Sequence, residues 1–448
     1  MVEVQEKTDA FVSEFRRCEK NATQAGHDWL FAIRGKAFAR FAELGFPTTR
    51  DEEWQNTNVA SLAKTAFEPA GRPPNRVTAE QVKPFTFGAA DVGRLVFVDG
   101  RHAPELSSLD GLPNEITVAS LASVIRSGHA TVEQHLSKHA GFEDQAFTAL
   151  NTALMEDGAF VHVPKGIVVE QLIHIIHIST AAKTPSVTHP RNLIVADASS
   201  QVVIAETYAG LDDGVYLTNT VTEIVAHDNA VVDHCKVVRE GERSYHMSTL
   251  QIHQYRDTTT TSHAFMMGGS LTRNDVNAVL DGEGGTCTLN GLSMLDGTQH
   301  VDNHLRVDHA KPHCDSREFF KNVLDGASRG VFSGRIVVHK DAQKTDAKQS
   351  NMSLLLSDKS QADSKPQLEI FADDVKCTHG ATIGQIDKDA VFYLRSRGLD
   401  EQAAHGMLVY AFARESIAHA RPESLRAHLE DLAFSRLPET RLPREDIS

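Results

Sequence analysis

The sequence predicts a mainly β core between two helical regions, on three observations. From about residue 159 to 386, short alternating segments such as FVHV, NLIVA, QVVIAETY, AVVDHCKVV, GRIVVH and QLEIF follow one another. They are rich in Val, Ile and Thr and are separated by polar or glycine-containing breaks. Breaks near Asp197, His227, Arg256 and Asp281 are spaced by 30, 29 and 25 residues, a loose period that fits coils of a β-solenoid with unequal turns. On either side, apolar residues recur at helical spacing. A sandwich with long hairpins would give a similar texture, so composition alone leaves solenoid and sandwich both open.

Taken in order, Phe11, Phe15 and Cys18 make one helical face at i, i+4, i+7. A second amphipathic pattern runs from Trp29 through Ile33 to Phe41 and is closed by Gly45 and Pro47. Residues 66–90, rich in Pro, Gly and Ala, read as a linker. LVFVDG (95–100) reads as a short strand before a helix-like stretch, and a further helical pattern covers about 131–156, ending near Asp157 and Gly158. After the β region, Asp400 can cap a helix with Ala404, Met407, Leu408 and Ala411 as an apolar stripe. Pro422 suits the first turn of a last helix carrying Leu425, Leu429 and Leu432, and the tail RLPETRLPREDIS reads as loose. The expected divisions are an N-terminal helical region (1–95), a mixed connecting region (96–157), the β core (158–386) and a C-terminal helical domain (387–448).

The chain has 448 residues and a net charge of −15. Its length is a soft prior for roughly three domains. The acidic balance argues against nucleic acid or an anionic membrane surface as the main partner. Cys18, Cys235, Cys287, Cys314 and Cys377 are odd in number, widely spaced and without a CxxC, which points to a reducing compartment and not a disulfide framework. The N-terminus carries early acids and no apolar h-region, and no run of about 18 apolar residues occurs. The expectation is a cytoplasmic protein. No GxxxxGK[ST] occurs, so no ATP site of its own is expected; HExxH is absent too, and neither GxSxG nor GxGxxG appears in a strand–helix context, GASRG (326–330) lying in the β-rich stretch.

Cys377 and His379 lead among the residues suited to chemistry. At i and i+2 of a strand both project to one side, and a thiolate with an imidazole suits iron or zinc. Lys376, or His379 when protonated, would lower the thiol pKa from about 8.5. Two ligands do not complete a site, so a partner chain would supply the others; the bland reading is a packed thiol beside a surface histidine. His300, His304, His309, His313 and Cys314 form a second group, but in a strand His300 and His304 share one face and His309 takes the other. These histidines read as solenoid positions first and as an auxiliary iron or sulfur-handling site second. Cys235 and Cys287 read as buried small hydrophobes, with a sulfur relay as the alternative. Arg395 and Arg397 have same-side spacing if extended and would fix a turn through carboxylates or carbonyls. The stripe with Met407, Leu408 and Ala411 would pack on its own domain or on a partner. The acids of DEEW (51–54) cannot share one helix face and read as a helix start or docking segment.

Several stretches resemble the SufB/SufD family. The longest is GRIVVHKDAQKTDAKQSNMSLLLSDKSQADSKPQLEIFADDVKCTHGATIG (334–384), continued by DKDAVFYLRSRGL (387–399). GFPTTRDEEWQNTN (45–58) and HVDNHLRVDHAKPHCDSREFFKNVL (300–324) fit as well. The match is dense over roughly 300–412 and patchy before that. It implies a right-handed parallel β-helix flanked by N-terminal and C-terminal α-helical regions, which resolves the choice left open above. It also implies a non-catalytic scaffold subunit of iron–sulfur cluster assembly. Such a subunit pairs with a SufB-type subunit, binds a SufC-type ABC ATPase through its terminal helices, and pairs with a second copy of itself in isolation. Cys377 and His379 would then lie at the SufB interface, where a transient iron–sulfur cluster forms. Arg395, Arg397, Met407, Leu408 and Ala411 would serve partner contact. Within the family the SufD side is favoured over SufB: only Cys18 stands in the N-terminal region, and Cys377-Thr378-His379-Gly380 departs from the C-x-H-E of SufB chains. A rival from another class is a β-helix carbohydrate-acting enzyme, but Asp281 with Glu283 and Asp373 with Asp374 form no recognisable carboxylate set.

Overall fold

In the computed structural model the alternating segments stack as a parallel β-solenoid of about seven coils. The structure describes residues 28–71, 76–88, 92–180, 184–421 and 423–437. The face of Phe11, Phe15 and Cys18, the placement of Pro422 and the tail from 438 lie outside the described residues.

The helices are α1 (Asp28–Leu44), α2 (Ala60–Lys64), α3 (Ala79–Val82), α4 (Leu121–Ser127), α5 (Ala130–His135), α6 (Ala146–Leu154), α7 (Lys388–Arg395), α8 (Glu401–Ile417) and α9 (Glu423–Ser435). The strands before the regular coils are β1 (Glu68–Pro69), β2 (Val92–Val98), β3 (Arg101–His102), β4 (Thr117–Ser120), β5 (Ala159–Val163), β6 (Val168–Ser179) and β7 (Ser186–Thr188). The coils continue with β8 (Arg191–Ala196), β9 (Gln201–Gly210), β10 (Tyr216–Ala226), β11 (Val231–Arg239), β12 (Tyr245–Gln254), β13 (Thr259–Met266) and β14 (Leu271–Leu280). They end with β15 (Thr286–Leu295), β16 (His300–His309), β17 (Asp315–Leu324), β18 (Arg329–Val338), β19 (Asp346–Leu355), β20 (Gln361–Ile370) and β21 (Lys376–Gln385).

Successive strands alternate between two sheets. One runs β20-β18-β16-β14-β12-β10-β8-β5-β4, the other β21-β19-β17-β15-β13-β11-β9-β6-β2-β3. Register follows the column Val221, Thr249, Asp275, His304, Ser333 and Lys365. Its steps of 28, 26, 29, 29 and 32 residues are the unequal coils that the polar breaks announce. At one corner of each coil a residue takes positive φ: Ser199, Asn229, Asp257, Gly284, His313 and Lys344. The N–H of each donates to a carbonyl of the next coil, from Ser199 to Asp228 at 2.8 Å through Lys344 to Asp374 at 2.7 Å. Asn, Asp, Ser and Gly suit this left-handed position. His313 is therefore a corner residue of the solenoid.

Alternation sends one residue in two inward. Ile204, Val232, Leu250, Val276, Leu305 and Phe320 belong to the lumenal core. The outer faces are covered by helices. Phe41, Trp54, Phe147 and Leu150 pack on Leu217, Met247 and Leu271. Val409, Ala413, Ile417, Leu425 and Leu429 pack on Cys235, Val237, Phe265, Leu292 and Val323. Leu425, Leu429 and Leu432 thus bury the face their spacing predicts, each worth about 1.5–3 kcal/mol when fully buried. The stretch 66–90 is no simple linker: Phe67, Val77, Val82 and Phe87 are buried, and Glu68 pairs with Ser186 in β1–β7. Its apolar residues, too sparse to give a period, dock singly.

Candidate functional site

The solenoid ends open. β20 and β21 are the last strands of the two sheets, and each has a partner on one side only. Residues that would face the lumen in a middle coil are uncovered here. Ile370 is 41% exposed and Ile383 is 47% exposed, and the adjoining Phe371 reaches 64%. Large apolar side chains at free strand edges are a ready template for pairing.

Cys377 and His379 stand on β21, so their i, i+2 spacing puts both on one side. Cys377 pairs with Ala347 and His379 with Gln349. Ala347 and Gln349 are buried in the lumen, so the thiol and the imidazole share the lumenal side of the terminal coil. Cys377 is half-buried against a small cluster with Leu368, Ala342 and Val375; His379 is exposed. The expected lowering of the thiol pKa is not found. Burial pushes the Cys377 thiol up, and Asp346 adds to it against the pull of the Ala347 N–H. Lys376 pairs with Asp346, on the opposite parity of β21 from Cys377. Among the described residues no three His, Cys, Asp or Glu side chains are arranged to hold a metal ion, so the two side chains remain a half-set of donors.

Below this mouth the lumen is polar. Gln349 Nε2 donates to Glu318 at 2.6 Å, and burial holds the Glu318 carboxyl up at about 8. The column Glu318, Gln349, His379 runs along the lumenal wall to the open end. Sequence reasoning missed Glu318, Ile383 and Phe371. Counting alternation outward from Cys377 puts Ile383 on the same face, but only the end of the stack makes that face exposed.

The remaining candidates separate as follows. His304 Nε2 lies 2.7 Å from Glu53 and His300 Nε2 3.0 Å from Thr57 Oγ1, both beneath the N-terminal segment. His309 is lumenal and bonds Ser316 at 2.9 Å. Alternation divides them as expected. Cys235 is buried beneath the terminal helices and Cys287 lies in the lumenal core; burial raises both thiols, Cys287 to about 12. DEEW forms a short 3-10 turn (Glu52–Trp54), and Glu53 and Glu52 reach Arg335 at 2.9 Å and Lys365 at 3.1 Å.

Arg395 and Arg397 are not on an extended segment. Arg395 closes α7, and Arg397 sits in the turn that follows. Arg395 pairs with Glu401 at 3.2 Å; the Arg397 guanidinium lies 3.6 Å from the Tyr393 ring centroid. Asp400 caps α8, accepting from the Ala403 N–H at 2.7 Å. The face that α8 buries holds Ala403, Ala404, Val409, Tyr410 and Ala413. Met407 and Leu408 are half-buried and Ala411 is exposed, so of the expected stripe only Ala404 faces the core. Phe392 (74% exposed) and Tyr393 (54%) stand out on α7. A cavity of about 800 Å³ between the last strands and these helices is lined by Leu356, Ile386, Phe392, Arg395 and His405.

Two family models cover most of the chain. The SufBD protein N-terminal region matches residues 5–175, and the SufBD core domain of SUF-system FeS cluster assembly matches 177–412. An iron–sulfur cluster assembly SufBD family protein of Synechocystis is 34% identical over 401 residues, 88% of each chain. The iron–sulfur cluster assembly protein SufD of Escherichia coli is 30% identical over 397 residues, 88% of this chain and 90% of the relative. SufD of Bacillus subtilis is 24% identical over 411 residues. Among the described residues no helix is long and apolar enough to cross a membrane. A parallel solenoid, an open end carrying a Cys–His pair and this agreement over most of the length converge: the chain belongs to the SufBD family of the SUF system, is SufD-like within it, and has its role in iron–sulfur cluster assembly.

Proposed function

We propose that the chain is a non-catalytic scaffold subunit that works through its two uncovered surfaces. The observation that carries this reading is the open coil end, where exposed Ile370, Phe371 and Ile383 border Cys377 and His379. A SufB-type subunit docks there by strand-edge pairing and supplies the donors that the Cys–His pair lacks. A transient iron–sulfur cluster then forms at the joint as cargo. In isolation a second copy of the chain takes the same edge. The SufC-type ABC ATPase docks on the terminal helices, where Phe392, Tyr393, Arg395, Arg397, Met407, Leu408 and Ala411 leave an apolar and cationic surface. Energy for opening and closing the joint comes from that ATPase, since the chain has no P-loop. Neither nucleic acid nor a membrane is a partner, and the compartment is the cytoplasm.

The chemical half is tested in cells that depend on the SUF system. A Cys377→Ser, His379→Ala double variant should lose most cluster-dependent enzyme activity while still retaining its partners. Undiminished activity in that variant would remove the two residues from the mechanism.

A further inference from the structure

A closed circuit of five aromatic rings joins the N-terminal region to the solenoid wall. His135 closes α5, and His139 follows in the next loop. His227 lies in the turn after β10, His253 on β12, and Tyr255 just beyond it. Ring centroids are 5.9 Å apart for His135–His139, 5.6 Å for His135–His227 and 4.9 Å for His227–Tyr255. They are 4.9 Å apart for Tyr255–His253 and 4.5 Å for His253–His139. The circuit rims a buried anchor. The Glu223 carboxylate, fully buried with Arg191 at 2.6 Å, accepts the backbone N–H groups of Ser137, His139 and Ala140 at 2.8, 3.2 and 3.1 Å. Beside it an open groove of about 470 Å³ is lined by Lys165, Asp197, His227, Asp228 and Tyr255.

We propose that this circuit is a proton-operated clasp: neutral, it holds residues 130–140 on the solenoid; protonated, it releases that segment and uncovers the Arg191–Glu223 pair. Neutral imidazoles pack at these distances, stacked for His135–His139, edge-on for His135–His227 and tilted for His139–His253, whereas imidazolium ions 4.5–5.9 Å apart repel one another in a partly desolvated setting. Nearby counter-charge is already committed. Glu223 is held by Arg191 and three N–H groups. Asp281 lies 3.6 Å from His253 but is shared with Lys311 at 3.7 Å. Asp197 bonds His162 at 2.9 Å and Asp228 pairs with Arg256 at 3.3 Å. Lys165 adds positive charge on the groove side, and on the segment itself Glu133 and Lys138 are exposed. Burial, with the neighbouring imidazoles, holds His135 and His253 below 6.5 and His139 at about 4. The docked segment therefore binds fewer protons than the free one between pH 6.5 and 4. Docking is complete above that window and weakens as pH falls through it, by up to about tenfold per pKa unit of depression. A metal-ion role is not favoured, since the donors of three rings do not converge.

The Ser137, His139 and Ala140 amides are built-in reporters. Hydrogen exchange of the full chain, read by mass spectrometry and corrected for intrinsic rates, would compare pH 7.5 with pH 5.0. The proposal expects the protection factor of peptides spanning 137–140 to drop at least tenfold, with peptides of β14–β18 unchanged. A His139→Gln, His253→Gln variant, which keeps only His135 among the three depressed imidazoles, should lose at least about threefold less protection than the wild type between the two pH values. His253→Gln alone, with the loop sequence intact, should show an intermediate drop. Constant protection in the wild type, an equal drop in the double variant, or a parallel loss in β14–β18 would overturn the clasp. So would a zinc-dependent rise in protection at pH 7.5, which would make the circuit a metal site.

Discussion

Arg273 is buried under Trp54. Its guanidinium carbon lies 4.4 Å from the indole centroid, and it pairs with Asp302 at 2.6 Å and Asp275 at 2.8 Å. It also donates to the Glu53 carbonyl at 2.9 Å. One side chain on β14 thus fastens the 52–57 segment to the solenoid. Arg273→Ala leaves Asp302 buried without its cation and removes the platform under the indole. We expect a loss of about 3–5 kcal/mol in denaturant unfolding, with Trp54→Ala costing about 3–5 kcal/mol by cavity formation. Losses below about 1 kcal/mol would mean that the segment is not fastened there.

The same segment carries an acid-sensitive tie. The His304 hydrogen bond, His304 charge and Arg335 hold the Glu53 carboxyl at about 2 against its partial burial. A depressed carboxyl stabilises the fold above about 4.5, and that contribution is lost as pH falls from 4.5 toward 2. In a Trp29→Phe background, Trp54 fluorescence should change over this window. Glu53→Gln should shift the change to higher pH or abolish it; an identical transition in the variant would refute the assignment.

Glu318 has the opposite sign. Its folded pKa of about 8 exceeds the unfolded value near 4.5, so the folded state binds more protons between these limits. Stability relative to Glu318→Gln should therefore rise as pH is lowered from 8 to 5. Denaturant midpoints of the two proteins at pH 8.5 and 5.5 test this. A pH-independent difference would mean that the carboxyl is not buried neutral.

Among Cys235, Cys287, Cys314 and Cys377, only Cys377 escapes full burial. Iodoacetamide in a Cys18→Ser background should alkylate Cys377 alone in the native state. Its raised pKa predicts slow reaction at pH 7 and a rate still climbing above pH 8.5. Fast labelling at neutral pH would contradict the burial argument.

The β core was legible because its signal is local. Polar breaks recur where a corner residue must take positive φ, as at Asn229 and Asp257, and the Cys377–His379 spacing fixes a shared face in any β-strand, whichever sheet it joins. The leucines of α9 follow helical period for the same reason. What sequence could not supply depends on the rest of the stack. Exposure of Ile383 reflects the missing next coil, the raised Cys377 thiol reflects burial at the mouth of the stack beside Leu368 and Val375 with Asp346 near, and the buried face of α8 is rotated toward Val409 and Ala413 by β15 and β17. The circuit of His135, His139, His227 and His253 joins residues up to 118 positions apart and has no linear signature.

The central claim is a scaffold with separate docking surfaces for two partners. Its most direct test is co-expression with SufB-type and SufC-type proteins of the same cell, tagging only this chain, with and without residues 388–448. The account predicts that the full chain recovers both partners, and that truncation removes or weakens direct ATPase binding while the SufB-type subunit is retained through the open coil end. Recovery of the chain alone in both forms would contradict it.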